Sequence, residues 1–110
     1  MTIREIVKAL GLKVLAGEAH LDREAKGGYT ADLLSCVMAG AQQGQIWFTL
    51  QTHLNIVAVA SLTGVAAVVV GENAPVSAET IEKAEEEGVI LLSSVPPTFD
   101  TIVKLVKLGF

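Results

Sequence analysis

The sequence predicts an α/β fold: a three-layer sandwich with a mostly parallel central sheet of about four to five strands covered by helices. Short, continuous apolar segments alternate with helical segments through the second half of the chain. Strands of this kind are typical of a parallel sheet with both faces covered and right-handed crossovers. At 110 residues the chain is long enough to bury one core and too short for two, so we expect a single domain over residues 1–110.

The chain is predicted to begin with a helix and a short strand. Thr2 is the expected cap of the first helix, whose apolar residues share one face, and Gly11 is expected to end it. Residues 12–16 then form a strand. Residues 17–29 are polar and rich in glycine without a clear period, which predicts a long loop with room for a short edge strand.

A second helix is predicted from Ala31 to about Ala41. Thr30 is its expected N-cap, and Asp32 is expected in the first turn, where the helix dipole favours a negative charge. Cys36 lies within this amphipathic pattern, where a buried and unreactive thiol is expected.

The rest of the chain alternates strand and helix. The predicted elements are a strand at 45–50, a helix at 53–63 ended by Gly64, a strand at 65–70, a helix at 78–87 between Ser77 and Gly88, a strand at 89–93, and a helix from Pro96 and Pro97 to about Leu108. Proline is tolerated in a first helical turn because its missing N–H has no intrahelical partner there.

The composition favours an oligomer. Apolar residues make up 51% of the chain and charged residues 18%. A small domain cannot hide so much apolar surface inside itself, and an extended exposed patch marks an interface. We therefore expect a homodimer.

The composition also excludes several partners. The net charge is −4, the basic residues are scattered and aromatic residues make up 5%, so nucleic-acid binding is not expected. The longest apolar run, residues 56–70, is shorter than the roughly 20 residues that span a bilayer, so no membrane partner is expected. A single cysteine excludes an internal disulfide and fits the reducing cytoplasm.

Four polar residues, Gln51, Thr52, His53 and Asn55, lie where a strand is predicted to turn into a helix. In an open α/β sheet this junction is the carboxyl edge, where ligands bind, and free N–H groups at a helix start attract anions. The other interpretation is local: Thr52 caps the helix, Asn55 satisfies backbone groups and His53 donates to a carbonyl. Both interpretations stay open from the sequence.

Four residues of the polar loop, Asp22, Arg23, Gly27 and Gly28, are candidates for further ligand contacts. Adjacent glycines allow backbone to approach a partner closely, and the loop carries both signs of charge. A loop that crosses to another subunit and a solvated hairpin are the alternatives. The loop lacks the spacing of a phosphate-binding P-loop.

No catalytic, metal or cofactor site is predicted. No nucleophile is visibly paired with His53. His20, Cys36 and His53 lack ligand-like neighbours at metal-binding spacing.

The segments LLSCVMA, Leu33 to Ala39, and QTHLNIVAVASLTG, Gln51 to Gly64, resemble the DRTGG domain family, and the resemblance extends from about Gly17 to the C-terminus. DREAKGG, Asp22 to Gly28, shares with the family's name only Asp22, Arg23 and the two glycines. Domains of this family are similar to the N-terminal domain of HPr kinase/phosphorylase, an α/β fold, and accompany CBS or ATPase-like domains in longer proteins. The resemblance implies an accessory role and transfers no catalytic residue.

The sequence therefore predicts a non-catalytic regulatory or sensory module that binds a small anionic ligand, a nucleotide or phosphorylated metabolite, at residues 51–55. The alternative is a protein-interaction subunit that docks on an ATPase, a kinase or a redox enzyme of the hydrogenase type and binds no small ligand.

Overall fold

The computed structural model describes all residues from Met1 to Phe110. Five helices and four of the five strands follow in the order predicted, and the fifth strand forms in the polar loop, where the sequence left room for a short edge strand. The helices are α1 (Ile3–Leu10), α2 (Leu34–Gly40), α3 (Asn55–Thr63), α4 (Ala78–Glu87) and α5 (Thr98–Lys107). The strands are β1 (Lys13–Ala16), β2 (Gly28–Thr30), β3 (Ile46–Thr49), β4 (Ala67–Val70) and β5 (Leu91–Ser93), and a single 3₁₀ turn spans Glu18–His20.

The five strands form one sheet in the order β1-β5-β4-β3-β2. Strands β2 to β5 are parallel, and β1 joins the edge of β5 in the antiparallel direction. The helices cover both faces, with α1 and α5 on one side and α2, α3 and α4 on the other. The predicted three-layer α/β sandwich with a mostly parallel sheet is confirmed.

Alternate side chains of the strands enter the two cores. On β3, Ile46 and Phe48 pack under α1 and α5, whereas Trp47 packs under α2 and α3. Both β3 and β4 are buried along their whole length. This two-sided burial explains why both strands consist of continuous apolar residues instead of an alternating pattern.

Several predicted helix ends are confirmed. Thr2 and Glu5 form a reciprocal capping box at the start of α1, and Gly11 ends the helix in the left-handed conformation. Ser77 caps α4 by accepting from the Thr80 N–H, and Gly88 ends it. None of the helices has the length and apolarity required to cross a lipid bilayer.

The prediction for residues 30–41 is wrong at its start. Thr30 is the last residue of β2 and does not cap a helix, because β2 pairs with β3 through Gly28, Tyr29 and Thr30. Helix α2 begins only at Leu34, so Asp32 precedes it. Cys36 is exposed and not buried, because α2 buries only Val37 against the sheet.

Candidate functional site

The predicted junction lies at the carboxyl edge of the sheet. Strand β3 ends at Thr49, and Gln51 to Leu54 connect it to α3. The connections that follow β2, β4 and β5 reach the same edge because these strands are parallel to β3. Residues 51–55 are thus placed where ligands bind in open α/β folds.

Gln51 is fixed by Asp32 and Thr49. Its side-chain amide donates to the Asp32 carbonyl at 3.1 Å, and its backbone N–H donates to Thr49 Oγ1 at 3.1 Å. The Asp32 carboxylate accepts from Thr49 Oγ1 at 2.8 Å and from the Leu50 N–H at 2.7 Å. This network joins the end of β3 to the connection after β2, and it uses the backbone N–H and the side-chain amide nitrogen of Gln51.

The start of α3 is capped by His53. Its ring Nδ1 accepts from the Asn55 N–H at 3.1 Å, its carbonyl accepts from the Ile56 N–H, and the Leu54 carbonyl accepts from the Val57 N–H. The N–H groups of Asn55, Ile56 and Val57 are therefore not free for a ligand, and the expected cap by Thr52 is absent. As an acceptor, Nδ1 carries no proton, which leaves Nε2 as the ring's hydrogen-bond donor.

A cleft of about 320 Å³ lies between the starts of α3 and α4. The cleft is held together by Thr80 Oγ1, which donates to the Thr52 carbonyl at 3.1 Å. Its lining residues are Thr52, His53, Leu54, Pro75, Ser77, Glu79 and Thr80. Of the four predicted residues, the structure brings Thr52 and His53 together here, while Gln51 turns towards Asp32 and Asn55 lines a neighbouring groove.

The cleft offers hydrogen-bond donors and one carboxylate. The Thr52 hydroxyl and His53 Nε2 have no partner in the chain, and the backbone N–H of Glu79, in the first turn of α4, has none either. The Glu79 carboxylate lines the same space. The combination suits a ligand that has both oxyanion oxygens and hydroxyl or amino donors.

Sequence reasoning missed the contribution of α4 to this cleft. Ser77 was expected only as a helix cap, and Glu79 and Thr80 were not considered as site residues. A usable signal was available: connections that follow neighbouring parallel strands lie side by side at the carboxyl edge. The connection after β4 was therefore the one to search beside residues 51–55.

A smaller cavity of about 180 Å³ lies elsewhere on the same edge, between Asp32 and Glu72. The Glu72 carboxylate accepts from the Thr98 N–H at 3.4 Å and from Thr98 Oγ1 at 3.2 Å, so it caps the first turn of α5. Glu72 and Asn73 both adopt positive φ angles, 55° and 54°. Both carboxylates have structural partners, and the sequence indicated neither contact.

The loop residues Asp22, Arg23, Gly27 and Gly28 lie at the opposite, amino edge of the sheet. Arg23 donates to the carbonyls of Ala66 and Gly88, which precede β4 and β5, at 3.3 Å each. Asp22 accepts from Arg4 Nε at 2.9 Å, and this hydrogen bond raises the pKa of Arg4. Within one chain, this loop and residues 51–55 face different edges.

The amino edge contains a larger cavity, of about 490 Å³, lined in part by Arg23, Lys26, Glu24 and Glu87. The C-terminal ends of α3 and α4 face it, and helix C-termini carry partial negative charge. With two carboxylates beside them and Arg23 bonded to carbonyls, this cavity suits an anion less well than the cleft at the start of α4.

No group of three or more His, Cys, Asp or Glu side chains lies together in a way that holds a metal ion. His53 is committed to the α3 cap through Nδ1. The Cys36 thiol is exposed and forms no hydrogen bond with a histidine. The polar edge of the sheet is thus organised by hydrogen bonds that hold helix starts in place.

No protein-family model matches the chain, and no curated protein matches it. Among solved structures, the chain is similar to the CBS and DRTGG domains of the regulatory region of Clostridium perfringens pyrophosphatase, complexed with its activator diadenosine tetraphosphate. The TM-score is 0.76 and the sequence identity 17%; the match covers 96% of this chain and 46% of that chain. The chain thus spans about half the length of that regulatory region, and the likeness supports a DRTGG-like fold.

Proposed function

We propose that the chain is a non-catalytic regulatory or sensory module that binds a small anionic ligand, a nucleotide or phosphorylated metabolite, in the cleft beside Thr52 and His53. The observation that carries the proposal is the set of unpaired donors around one cleft: the Thr52 hydroxyl, His53 Nε2 and the backbone N–H of Glu79 in the first turn of α4. Backbone N–H groups at a helix start bind oxyanions well.

Glu79 narrows the class of ligand. A carboxylate in the cleft repels a bare anion but accepts hydrogen bonds from hydroxyl and amino groups. A nucleotide supplies oxyanions for the donors together with ribose hydroxyls or base amino groups for Glu79. The solved regulatory region of similar fold was obtained with diadenosine tetraphosphate as activator, which supports the same chemical class.

The commitment of His53 to the helix cap supports a non-catalytic role. A general base needs a free ring nitrogen next to the proton that it removes, and here Nδ1 already accepts from Asn55 N–H. The remaining nitrogen suits a binding contact. Gln51 and Asn55 stay predicted ligand contacts, and a ligand that extends beyond the cleft along α3 reaches Asn55 first.

A panel of nucleotides and phosphorylated metabolites in a thermal-shift assay tests the proposal, because a ligand that binds the folded state raises the melting temperature by mass action. Thr52→Val keeps the shape of the side chain and removes one unpaired donor, so affinity should fall about two- to tenfold. Thr63→Val, the same change at the far end of α3, is the matched control and should leave affinity unchanged. Equal affinities of the two variants exclude the cleft as the binding site. A panel in which no compound raises the melting temperature excludes nucleotides and phosphorylated metabolites as ligands.

The second candidate function, a protein-interaction subunit that docks on an ATPase, kinase or redox enzyme, is favoured by a different observation. Large apolar side chains are exposed around the carboxyl edge, at Leu33, Leu50, Val95 and Phe99. Exposed apolar groups that cluster in one region mark protein contacts. A chain that responds to no member of the ligand panel but binds such an enzyme directly matches this alternative.

We further propose that residues 1–110 act as one DRTGG-like domain, similar to the N-terminal domain of HPr kinase/phosphorylase, and that the chain is a cytoplasmic homodimer. These statements rest on the sequence resemblance, the single cysteine and the apolar composition. Light scattering at micromolar concentration tests the dimer.

A further inference from the structure

We propose that two copies of the chain associate through the outward face of α2 and α3; the inference rests on the proposed homodimer and assigns its interface. The carrying observation is the distribution of charge. No Asp, Glu, Lys or Arg occurs from Leu33 to Gly71, and all 8 basic and 12 acidic residues lie outside this segment. Helices α2 and α3 are neighbours in the same layer, so their outer faces together form one surface without charged residues.

Helix α3 is apolar on the side that faces away from the sheet as well as on the buried side. Ile56, Val57, Val59 and Ala60 are buried against the strands. On the outer side Leu54, Ala58 and Leu62 follow one another at a spacing of four, which places them on one stripe. Only Asn55, Ser61 and Thr63 of α3 are polar, and a helix with apolar residues on both its inner and outer sides is normally covered on both.

The outer stripe borders an apolar groove. The groove has a volume of about 460 Å³ and runs between α3 and α4; Leu54, Val57, Ala58, Ser61 and Leu62 line it on the α3 side, with Asn55, Lys83 and Glu87 completing the lining. Leu62 protrudes beside it with 74% of its surface exposed. Small residues at Ala58 and Ser61 leave room for the leucine of a second copy to enter next to them.

The charge pattern identifies the occupant as a second copy. Every other helix carries charged side chains: Arg4 and Lys8 on α1, Asp100, Lys104 and Lys107 on α5, and a run of glutamates on α4. Two chains of net charge −4 repel when charged faces meet, whereas α2 and α3 carry no charged side chain, and the two charges beside the groove, Lys83 and Glu87, pair with each other at 3.2 Å. A charged partner would find no unpaired complementary charge on α2 or α3.

A dimer interface needs a sizeable exposed area on each copy. A stable interface buries about 800 Å² per partner, roughly one-seventh of the chain's 5692 Å². Exposed apolar residues occur on both helices and at their ends, with Leu33 and Met38 on the α2 side and Leu62 on the α3 side. A twofold axis near Leu62 places the same surface of both copies in contact, as a symmetric dimer requires.

Sedimentation equilibrium or light scattering of two matched variants tests the assignment. Leu62→Glu introduces a charge at the centre of the proposed interface, and Phe99→Glu introduces the same charge on α5, in the opposite layer, at a side chain that is 75% exposed. We expect a dimeric wild type, a dimeric Phe99→Glu, and a dimer dissociation constant about thirtyfold or more higher for Leu62→Glu. Circular dichroism confirms that both variants fold.

Cross-linking gives an independent readout that does not require weakening the dimer. In a Cys36→Ser background, Leu62→Cys should form a disulfide-linked dimer under mild oxidation, whereas Phe99→Cys should not. A monomeric wild type overturns both the homodimer and this interface. A dimer that Leu62→Glu leaves intact, or that cross-links through position 99, overturns only the interface. Ligand binding is read separately by the thermal-shift panel, so failure of the cleft is distinguishable from either result.

Discussion

Replacing Thr49 by valine should destabilise the chain by about 1–2 kcal/mol. Thr49 is only 2% exposed, and its hydroxyl donates to the Asp32 carboxylate at 2.8 Å and accepts from the Gln51 N–H at 3.1 Å. A hydrogen bond to a charged group contributes about 1.5–3 kcal/mol and a neutral one about 1 kcal/mol. We use the lower end of each range because Asp32 is exposed and still accepts a hydrogen bond from the Leu50 N–H in the variant. The methyl group that replaces the hydroxyl is buried, and its burial offsets about 0.8 kcal/mol of the lost stability.

Urea denaturation followed by far-ultraviolet circular dichroism measures this change as a lower midpoint at constant slope. Thr63→Val is the control, because the Thr63 hydroxyl donates only to carbonyls of its own helix, at Val59 and Ala60, and its loss should change stability by less than about 0.5 kcal/mol. If the two variants have equal stability, the Asp32–Thr49 contact does not hold the carboxyl edge together. Gln51 would then be held in place by other contacts.

Two further predictions concern the backbone and pH. Gly17→Ala should lower the free energy of unfolding by more than about 3 kcal/mol, because the φ of +83° disfavours any Cβ and the new atom would lie 2.7 Å from Ile90 Cα. Gly11→Ala is the control: at φ +68° and with no atom within 4 Å of the new Cβ, it should lower this free energy by only about 1 kcal/mol. Equal losses in the two variants would refute the clash at Gly17. The backbone hydrogen bond from Thr2 lowers the pKa of Glu5, so its contribution is present above the unfolded-state pKa and is lost as the pH falls through the folded-state value. Glu5→Gln should reduce the acid sensitivity of the melting temperature, and an unchanged pH profile would contradict this.

The order of the elements was predictable because local signals agree with the tertiary structure. Ser77 and Gly88 bound α4, and Thr2 and Gly11 bound α1, through caps that depend on a few neighbouring residues. The apolar strands at 67–70 and 46–49 had to be central because no alternation is present. From these elements the location of residues 51–55 at the carboxyl edge follows directly.

The edges of the sheet were not predictable in the same way. Strand β2 has three residues, Gly28 to Thr30, and acquires its conformation by pairing with β3, so its own sequence carries no period. The antiparallel direction of β1 likewise depends on pairing with β5. The exposure of Cys36 reflects the position of α2 at the end of its layer. The hydrogen bond from the Asn55 N–H to His53 Nδ1 could not be predicted from residue types, because the neighbouring Thr52 is of a type that caps helices more often.

The proposed ligand cleft and the proposed dimer face are adjacent, and this leads to the last prediction. Leu54 lines both the cleft and the groove along α3, so a ligand that orders the start of α3 acts on a residue of the interface. A regulatory module needs such a connection, because ligand binding must change something that another protein or another copy can detect. We therefore expect nucleotide and dimer to influence each other through α3.

Thermodynamic linkage makes this expectation quantitative. If dimer formation changes nucleotide affinity by some factor, nucleotide must change the affinity of dimer formation correspondingly, with couplings of about 5- to 150-fold being usual. Titration calorimetry on the wild type and on Leu62→Glu measures the first factor, and sedimentation of the wild type with and without nucleotide measures the second. Leu62 lines the groove and not the cleft, so Leu62→Glu changes nucleotide affinity only through the dimer. Equal nucleotide affinities in a dimeric wild type and a monomeric Leu62→Glu would show that the two sites are independent, and α3 would then be a shared support without a signalling role.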